Sequence, residues 1–279
     1  MCVLIVLICI VSVLVASMGI WQIAVRQQSK NYNLTVLNVS GVPSPWQGEP
    51  IEDTVELSEI SMHYLVYGEG EKSLLLIHGN GGSTESLKDA ALYLANDYTV
   101  YVPDSRCHGK SSDPGEISYK LMAKDLKEFC EKLGIEKPYI MGHSDGGINA
   151  LTIASEYPDL PGAVISCGAN SVPQTFKPYF TIGVMVMNLF KKDKLNDMML
   201  TLPDFTTDDF AKIKCPTLIA AGEYDIMWLS DSVYIHESIN DSDIIIIKSG
   251  NHSSYISQDG KQAYSLAKGY FDKIKEELK

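Results

Sequence analysis

The chain is poor in basic residues, and this shortage excludes one large class of partners. Its 23 lysines and arginines stand against 35 aspartates and glutamates, which gives a formal net charge of −12 over 279 residues. The basic residues form no run longer than Lys191-Lys192. A protein that binds nucleic acid needs clustered positive charge to neutralise the phosphates. We therefore expect no nucleic-acid partner and interpret the acidic excess as a solvated surface.

Closely spaced cysteines and histidine–carboxylate motifs are also absent from the sequence. The six cysteines include no CxxC pair, and Cys167 and Cys215 each adjoin an apolar run that is typical of a strand. We interpret these two side chains as buried thiols. Since no HExxH motif or other paired histidine spacing occurs, the sequence predicts neither a disulfide framework nor a metal site.

Charged side chains are missing altogether from the N-terminal segment, residues 1–25. Val3 to Val15 is almost entirely Val, Ile, Leu and Cys. About 20 such residues in a helix cross a hydrocarbon layer about 30 Å thick. A cleaved signal peptide typically carries Lys or Arg before a shorter apolar core. Residues 1–25 are therefore predicted to be an uncleaved transmembrane anchor, which makes the chain a single-pass membrane protein.

Two signals disagree about the side of the membrane on which the rest of the chain lies. Arg26 and Lys30 directly follow the predicted anchor, and positive charge there favours the cytoplasmic side. The glycosylation motifs at Asn33 and Asn38 can be modified only in a glycosylating lumen, so they favour the opposite side. The side stays open. Residues 26–56 contain several glycines and prolines without an apolar period, so we interpret them as a linker.

After the linker, short β-rich runs alternate with helical stretches across residues 57–279. The predicted strands are 60–67, 73–77, 98–102, 137–141, 163–167, 216–221 and 243–248. The predicted helices are 84–95, 118–133, 146–156, 230–239 and 258–278. This alternation is typical of an α/β domain with a mostly parallel sheet flanked by helices. Since no repeat of 20–50 residues occurs, solenoids and propellers are excluded.

One stretch, residues 171–212, interrupts the alternation and is too long for a connection without structure of its own. We expect it to form a cap inserted between two strands. It contains an apolar run at 180–190 that is too short to span a membrane and is followed by two lysines. This run is interpreted either as a packing helix or as a lid that contacts the substrate.

The strongest chemical motif of the sequence is Gly142-His143-Ser144-Asp145-Gly146, which lies between a strand-like run and a helix-like run. A G-x-S-x-G nucleophile elbow has this strand–turn–helix setting. Small residues are needed at both ends because the turn is tight and strained. Ser144 is therefore the candidate nucleophile, at a helix N-terminus whose free N–H groups favour a developing oxyanion.

The partners that such a serine needs occur elsewhere in the chain, each after a predicted strand. Asn80 lies in a glycine-rich turn, and we expect the amides of Asn80 and Asp145 to form the oxyanion hole. Asp225 and His252 follow two later strands. The order Ser144, Asp225, His252 is the one expected of α/β-hydrolases. Glu223 is an alternative acid, but Asp225 lies past the end of its strand, where triad geometry requires the acid.

Together these motifs resemble the α/β-hydrolase superfamily over about residues 57–278, in the family's order and spacing. The segment 142–170 is further similar to the small esterases that include valacyclovir hydrolase, from which this chain differs in its predicted anchor and shorter cap. In that group an acidic residue directly after the nucleophile, here Asp145, helps to bind a substrate ammonium. A serine at the elbow disfavours haloalkane dehalogenase and epoxide hydrolase chemistry, which in this fold employs an aspartate.

The resemblance implies a mechanism as well as a fold. Ser144, deprotonated by His252, would attack a carboxylic ester to give an acyl-enzyme that water hydrolyses, while Asp225 orients the imidazole. No cofactor is required. The alternatives that stay open are an acylglycerol lipase, a C–C bond hydrolase, an aminopeptidase-like amidase and a non-catalytic anchored binding module. The expected partners are a small-molecule ester and, through the anchor, a membrane.

Overall fold

The computed structural model describes residues 29–256 and 260–277, which are built around one mixed sheet. The strands are β1 (Leu34–Thr35), β2 (Ile51–Glu56), β3 (Ser61–Tyr67), β4 (Lys72–Ile77), β5 (Tyr98–Pro103), β6 (Tyr139–His143), β7 (Ala163–Cys167), β8 (Thr217–Gly222) and β9 (Ser242–Ile247). Their spatial order is β1-β9-β8-β7-β6-β4-β5-β3-β2. The pairs β2–β3 and β3–β5 are antiparallel, and the others described are parallel.

The central strands are apolar because the sheet is covered on both faces. Leu74, Leu75, Leu76 and Ile77 of β4 are fully buried, and all of β7 and β8 is buried. Parallel strands with both faces covered have nearly continuous apolar sequences, as these three strands do. The carboxyl ends of the strands therefore meet at one edge of a rigid sheet, where loops can present side chains.

Helices pack on both faces of the sheet and divide the core into two layers. The helices are α1 (Lys88–Leu94), α2 (Tyr119–Leu133), α3 (Asp145–Glu156), α4 (Pro178–Phe190), α5 (Lys194–Thr201), α6 (Thr207–Phe210), α7 (Leu229–Ser238) and α8 (Lys261–Glu277). Apolar residues of α2, α3 and α7 fill one core layer, and those of α1 and α8 fill the other. The prediction of an α/β-hydrolase fold with a mostly parallel sheet flanked by helices is thus confirmed.

Local signals explain where these helices begin and end. At the start of α2, the Ser118 side chain accepts a hydrogen bond of 3.2 Å from the Leu121 amide. At its end, Gly134 has a φ of 65°. A serine N-cap satisfies one free N–H, and a left-handed glycine stops a helix without a Cβ clash. The predicted range 118–133 therefore agrees closely with Tyr119–Leu133.

The segment predicted as a linker, residues 26–56, contributes two edge strands to the sheet. Strand β1 pairs with β9 through Leu34 and Ile246, and β2 pairs along its whole length with β3. Between them, the Trp46 amide donates a hydrogen bond of 2.8 Å to the Leu92 carbonyl. Its indole packs edge-on against Tyr67 at 6.4 Å between ring centroids. From residue 34 onward, this segment is thus attached along the folded domain.

The predicted transmembrane anchor, residues 1–25, lies outside the described residues. Within 29–256 and 260–277, no helix combines the length and the apolar character that a membrane span requires.

The interruption predicted as a cap, residues 171–212, contains a short 3₁₀ turn (Pro173–Thr175) and the helices α4, α5 and α6. Helices α4 and α5 pack against one another, and they join the region around the start of α7 through a small cluster of Phe176, Val184, Met199 and Met227. This cluster is separate from the two main core layers. The segment therefore has an apolar centre of its own beside the carboxyl edge of the sheet.

Candidate active site

The tight turn between β6 and α3 raises Ser144 above the carboxyl edge of the sheet. Ser144 has a φ of 56° and a ψ of −120°, a strained combination for a residue with a side chain. The glycines on either side leave no room for a Cβ. One added at Gly142 would lie 2.0 Å from the Gly146 oxygen, and one at Gly146 would lie 2.1 Å from the Ile77 oxygen. Both glycines of the motif are thus required by packing.

Three side chains from three different loops form one hydrogen-bonded chain. His252 Nε2 lies 3.0 Å from Ser144 Oγ, and His252 Nδ1 lies 2.7 Å from Asp225 Oδ1. The Asp225 side chain is 3% exposed and the His252 side chain 19%. The carboxylate is thus shielded from water while the imidazole reaches the surface of a cavity. The structure brings together the serine, acid and histidine that the sequence predicted as a triad.

The environment of Asp225 keeps its carboxyl ionised. Burial alone would raise its pKa, but His252, the Tyr255 hydroxyl and the Gly222 amide together lower the pKa to about 2. The Ile226 amide also donates to Oδ1, at 2.7 Å. An ionised Asp225 can only accept, so the Nδ1 atom of His252 carries the proton. The Nε2 atom is then free to accept a proton from Ser144.

The alternative acid, Glu223, has a different partner in the structure. Its carboxylate accepts a hydrogen bond of 2.8 Å from the Ser249 amide, in the loop that leads from β9 to His252. Ser249 has a φ of 57°, a left-handed conformation that is uncommon for serine. Glu223 therefore fixes the loop that carries the histidine, whereas Asp225 contacts the histidine itself.

Two side chains that the sequence did not single out hold the backbone of the triad. His143 donates through Nε2 to the His252 carbonyl at 2.6 Å, and burial together with nearby His252 lowers the pKa of His143 to about 4. Lys177 is buried, donates through Nζ to the Asp225 carbonyl at 2.5 Å and lies over the Trp228 ring. Burial also lowers the pKa of Lys177. Such bonds to backbone carbonyls have no recognisable sequence pattern.

The two predicted oxyanion donors flank Ser144. Asn80 follows β4 and lines the cavity at Ser144. Asp145 is the first residue of α3, so no carbonyl of that helix can accept its amide hydrogen. His78 fixes the glycine turn because its Nδ1 donates to the Gly79 carbonyl and its Nε2 accepts from the Ser105 amide. Burial lowers the pKa of His78 to about 4, so it serves as a neutral structural residue.

The Asp145 side chain points into the protein. It is 2% exposed, and its carboxylate accepts a hydrogen bond of 3.0 Å from Asn80 Nδ2. Burial raises the pKa of the Asp145 carboxyl, an effect that the Asn80 amide partly offsets. Among the described residues that line the cavity at Ser144, Asp145 does not occur. Its predicted role in binding an ammonium group stays a prediction.

A cavity of about 450 Å³ opens at Ser144 and His252 and extends beneath the cap. Helices α4 and α5 contribute Phe180, Val184 and Met199 to its wall. None of the described lining residues is Asp, Glu, Lys or Arg. This volume lies in the range of ordinary small-molecule sites, roughly 300–1,000 Å³. The cavity can therefore hold a mainly apolar, uncharged group next to the serine.

The described part of the chain contains no group of three or more His, Cys, Asp or Glu side chains arranged to hold a metal ion.

Comparisons with known proteins agree with this architecture. The family model for the alpha/beta hydrolase fold matches residues 72–206. A fluoroacetate dehalogenase of a Burkholderia species is 33% identical over 111 residues, which are 38% of this chain and 36% of that protein. The human serine hydrolase BPHL is 25% identical over 233 residues, which are 72% of this chain and 80% of the relative. The chain thus spans only about a third of the length of the dehalogenase.

Solved structures extend the likeness to most of the chain. A thermophilic esterase from Thermogutta terrifontis has a TM-score of 0.64 and 21% identity, and the match covers 81% of this chain and 99% of the esterase. At this identity the likeness establishes the fold alone.

Proposed function

Because the chain belongs to the α/β-hydrolase superfamily, we propose that it is a serine hydrolase that cleaves carboxylic esters with an apolar acyl group. The observation that carries the proposal is the hydrogen-bonded chain from Ser144 through His252 to Asp225. A serine and a base within hydrogen-bonding distance, with the base oriented by a third group, form an activated nucleophile.

In the first half of the proposed reaction, Ser144 Oγ attacks the ester carbonyl carbon while His252 Nε2 takes the hydroxyl proton. His252 then gives this proton to the departing alcohol, which leaves an acyl-enzyme. In the second half, His252 takes a proton from water, water attacks the acyl group, and Ser144 Oγ leaves with the proton. Asp225 stays ionised throughout and stabilises the imidazolium, as its low pKa of about 2 favours.

The backbone amides of Asn80 and Asp145 are the proposed donors to the tetrahedral oxyanion. Asp145 lies at the N-terminus of α3, where the helix dipole also favours negative charge. A single donor of this kind contributes about 10²–10³ in rate in known enzymes. The Asn80 side chain, bonded to Asp145 and to the Leu195 carbonyl, supports the turn that presents its own amide.

Ser144 favours acyl transfer over dehalogenation, the reaction for which the Burkholderia relative is named. If Ser144 displaced a halide from carbon, the product would be an alkyl ether. Water could not release the enzyme from this ether, because the bond to Ser144 Oγ has no carbonyl carbon that water can attack. An acyl group on Ser144 keeps such a carbonyl, so the intermediate can turn over.

The cavity supports an uncharged acyl group over an aminoacyl group. Its wall is apolar near the cap, and the carboxylate of Asp145 is buried behind Asn80. An ammonium group would have to lose its water in this cavity without a charged partner on the wall, which is costly. We therefore propose neutral esters as the substrate class. We further propose that residues 1–25 hold the enzyme at a membrane, because they form an uncharged apolar segment.

The proposal is tested by measuring hydrolysis of p-nitrophenyl esters of increasing acyl length, together with monoacylglycerols, aminoacyl esters and anilides. We expect activity on neutral esters, loss of that activity in Ser144→Ala, and little change in Ser238→Ala, a control on the outer helix α7. Preference for monoacylglycerols, or for anilides, would indicate the lipase or the amidase. Inactivity on the whole panel, with no fluorophosphonate label on Ser144, would favour the binding module.

A further inference from the structure

The cap helix α4 exposes an unusual amount of apolar surface. Seven of the twelve large hydrophobic side chains that are exposed in the described residues lie on this helix of 13 residues. Two of them, Leu189 and Phe190, are 84% and 88% exposed. The outer surface of α4 comprises Ile182, Met185, Val186, Leu189 and Phe190. Contiguous exposed apolar surface of this kind marks an interaction site.

The opposite side of the same helix is already used. Phe180 and Val184 line the cavity at Ser144, and Met187 lies at its margin because it both lines the cavity and is exposed. Helix α4 therefore carries large apolar side chains on two sides, with one side on the active site and the other in contact with solvent. A helix of this composition is ordinarily buried on every side, in a protein core or in lipid. Its outer surface accordingly faces solvent in the isolated chain.

The charges around the outer surface are those of a helix that binds lipid. No charged residue occurs within Pro178–Phe190, and the helix is followed directly by the exposed Lys191 and Lys192. These are adjacent basic residues in a chain whose net charge is −12. Interfacial helices bury an apolar face among lipid chains, and neighbouring lysines attract anionic headgroups. The local charge thus complements a lipid surface although the whole protein is acidic.

A second copy of the chain fits this surface less well. A helix of 13 residues is about 20 Å long and about 10 Å wide, so one side offers a single narrow ridge of five large apolar side chains. A stable protein interface buries about 800 Å² of accessible surface on each partner and involves roughly 20–30 residues a side. A bilayer requires no matching shape and accepts a single helix face.

We infer that α4 is an interfacial helix whose outer surface binds a lipid bilayer, with the cavity at Ser144 on its inner side. Leu189 and Phe190 enter the boundary between headgroups and acyl chains, and Lys191 and Lys192 lie among the headgroups. This contact is distinct from the predicted anchor at 1–25, because it involves the cap of the folded domain. It also does not depend on whether Ser144 is active, so it can be tested separately from the proposed hydrolysis.

The test places a fluorescent reporter on the helix in the full-length chain. Phe190→Trp adds an indole at the most exposed apolar position of α4, and Ile51→Trp adds one at the exposed edge strand β2, where Ile51 is 66% exposed. Both variants are reconstituted into phosphatidylcholine–phosphatidylserine vesicles with brominated or unbrominated acyl chains. The emission of the parent chain, with its 3 native tryptophans, is subtracted from each.

We expect bromination to reduce the emission added by Phe190→Trp by at least half and to leave that added by Ile51→Trp unchanged. In anionic vesicles, the further changes Lys191→Glu and Lys192→Glu should weaken the quenching, because the glutamates are repelled by the headgroups. High salt should screen this repulsion and restore the quenching. Equal emission of Phe190→Trp in both kinds of vesicle would overturn the inference. The inference would also be overturned if the indole added by Phe190→Trp became shielded from water without vesicles, to an extent that grows with protein concentration. That result would indicate a second copy of the chain.

Discussion

The replacement Asp225→Asn tests the electrostatic basis of the triad because it keeps the size of the side chain and removes its charge. The carboxylate accepts from His252 and the Ile226 amide on Oδ1, and from Tyr255 and the Gly222 amide on Oδ2. An asparagine has one oxygen and one NH₂ group. Whichever position the NH₂ takes, it meets a backbone N–H donor, at Ile226 or at Gly222.

Two effects follow, and they differ in size. If the NH₂ group faces His252, the imidazole must accept on Nδ1 and carry its proton on Nε2, so it can no longer accept the Ser144 proton. In a comparable triad this wrong tautomer lowers kcat about 10⁴-fold, which corresponds to about 5.5 kcal/mol. The mismatched buried donor should cost about 1–3 kcal/mol of folding free energy. We therefore expect Asp225→Asn to fold with reduced stability and to lose nearly all activity.

The assay is p-nitrophenyl ester hydrolysis at saturating substrate, accompanied by urea unfolding. The matched control is Glu223→Gln, which retains an oxygen to accept from the Ser249 amide. This control should keep most of the activity. A rate for Asp225→Asn within tenfold of the parent chain, or a greater loss in Glu223→Gln, would refute the assignment of Asp225 as the acid.

Four further predictions follow from the same structure. The folded-state pKa of Asp225, about 2, lies below the ordinary value of 3.8. The ionised Asp225 carboxylate therefore contributes about 2 kcal/mol to the free energy of unfolding. This contribution is present above about pH 4 and is lost as the pH falls through 2. At pH 3 about half of this contribution is lost, so urea unfolding at pH 6 and pH 3 should show a loss about 1 kcal/mol larger in the parent chain than in Asp225→Asn. Val184→Phe, which adds volume to the cavity wall, should lower kcat/KM for long acyl chains at least tenfold and for acetyl esters little, as an acyl-length series would reveal. Asp145→Asn should change kcat/KM for neutral and aminoacyl esters by similar factors, because the carboxylate is buried; a selective loss for aminoacyl esters would support the ammonium site instead. A chain that lacks residues 1–28 should hydrolyse soluble esters and be released from membranes by a carbonate wash, and its retention in the pellet would contradict a single anchor.

The elements that the sequence predicted well are those whose signals are local. The strands β4, β6, β7 and β8 are apolar runs because both of their faces are buried, and β4, β6 and β8 are each followed by a turn that carries a site residue. Strand β2 was not predicted because its sequence IEDTVE is largely exposed. Strand β1 has only two residues, and its partner β9 lies more than 200 residues away along the chain.

The same distinction applies to the candidate site. Ser144 could be assigned from its elbow motif, and Asp225 and His252 from their positions after strands, because parallel strands bring their carboxyl ends to one edge. The roles of His143 and Lys177 could not be predicted, since each donates to a backbone carbonyl that any residue could supply. Whether α4 packs or contacts substrate could not be decided from its apolar sequence, because its two sides have different surroundings.

The central claim is that Ser144 is a nucleophile activated by His252, and covalent labelling tests it most directly. The full-length chain is treated with a fluorophosphonate, digested, and its peptides are examined by mass spectrometry. We predict one adduct, on Ser144, that forms far more slowly in His252→Ala and does not form in Ser144→Ala. An unlabelled Ser144 in the correctly folded chain, or a labelling rate unchanged by His252→Ala, would contradict the account.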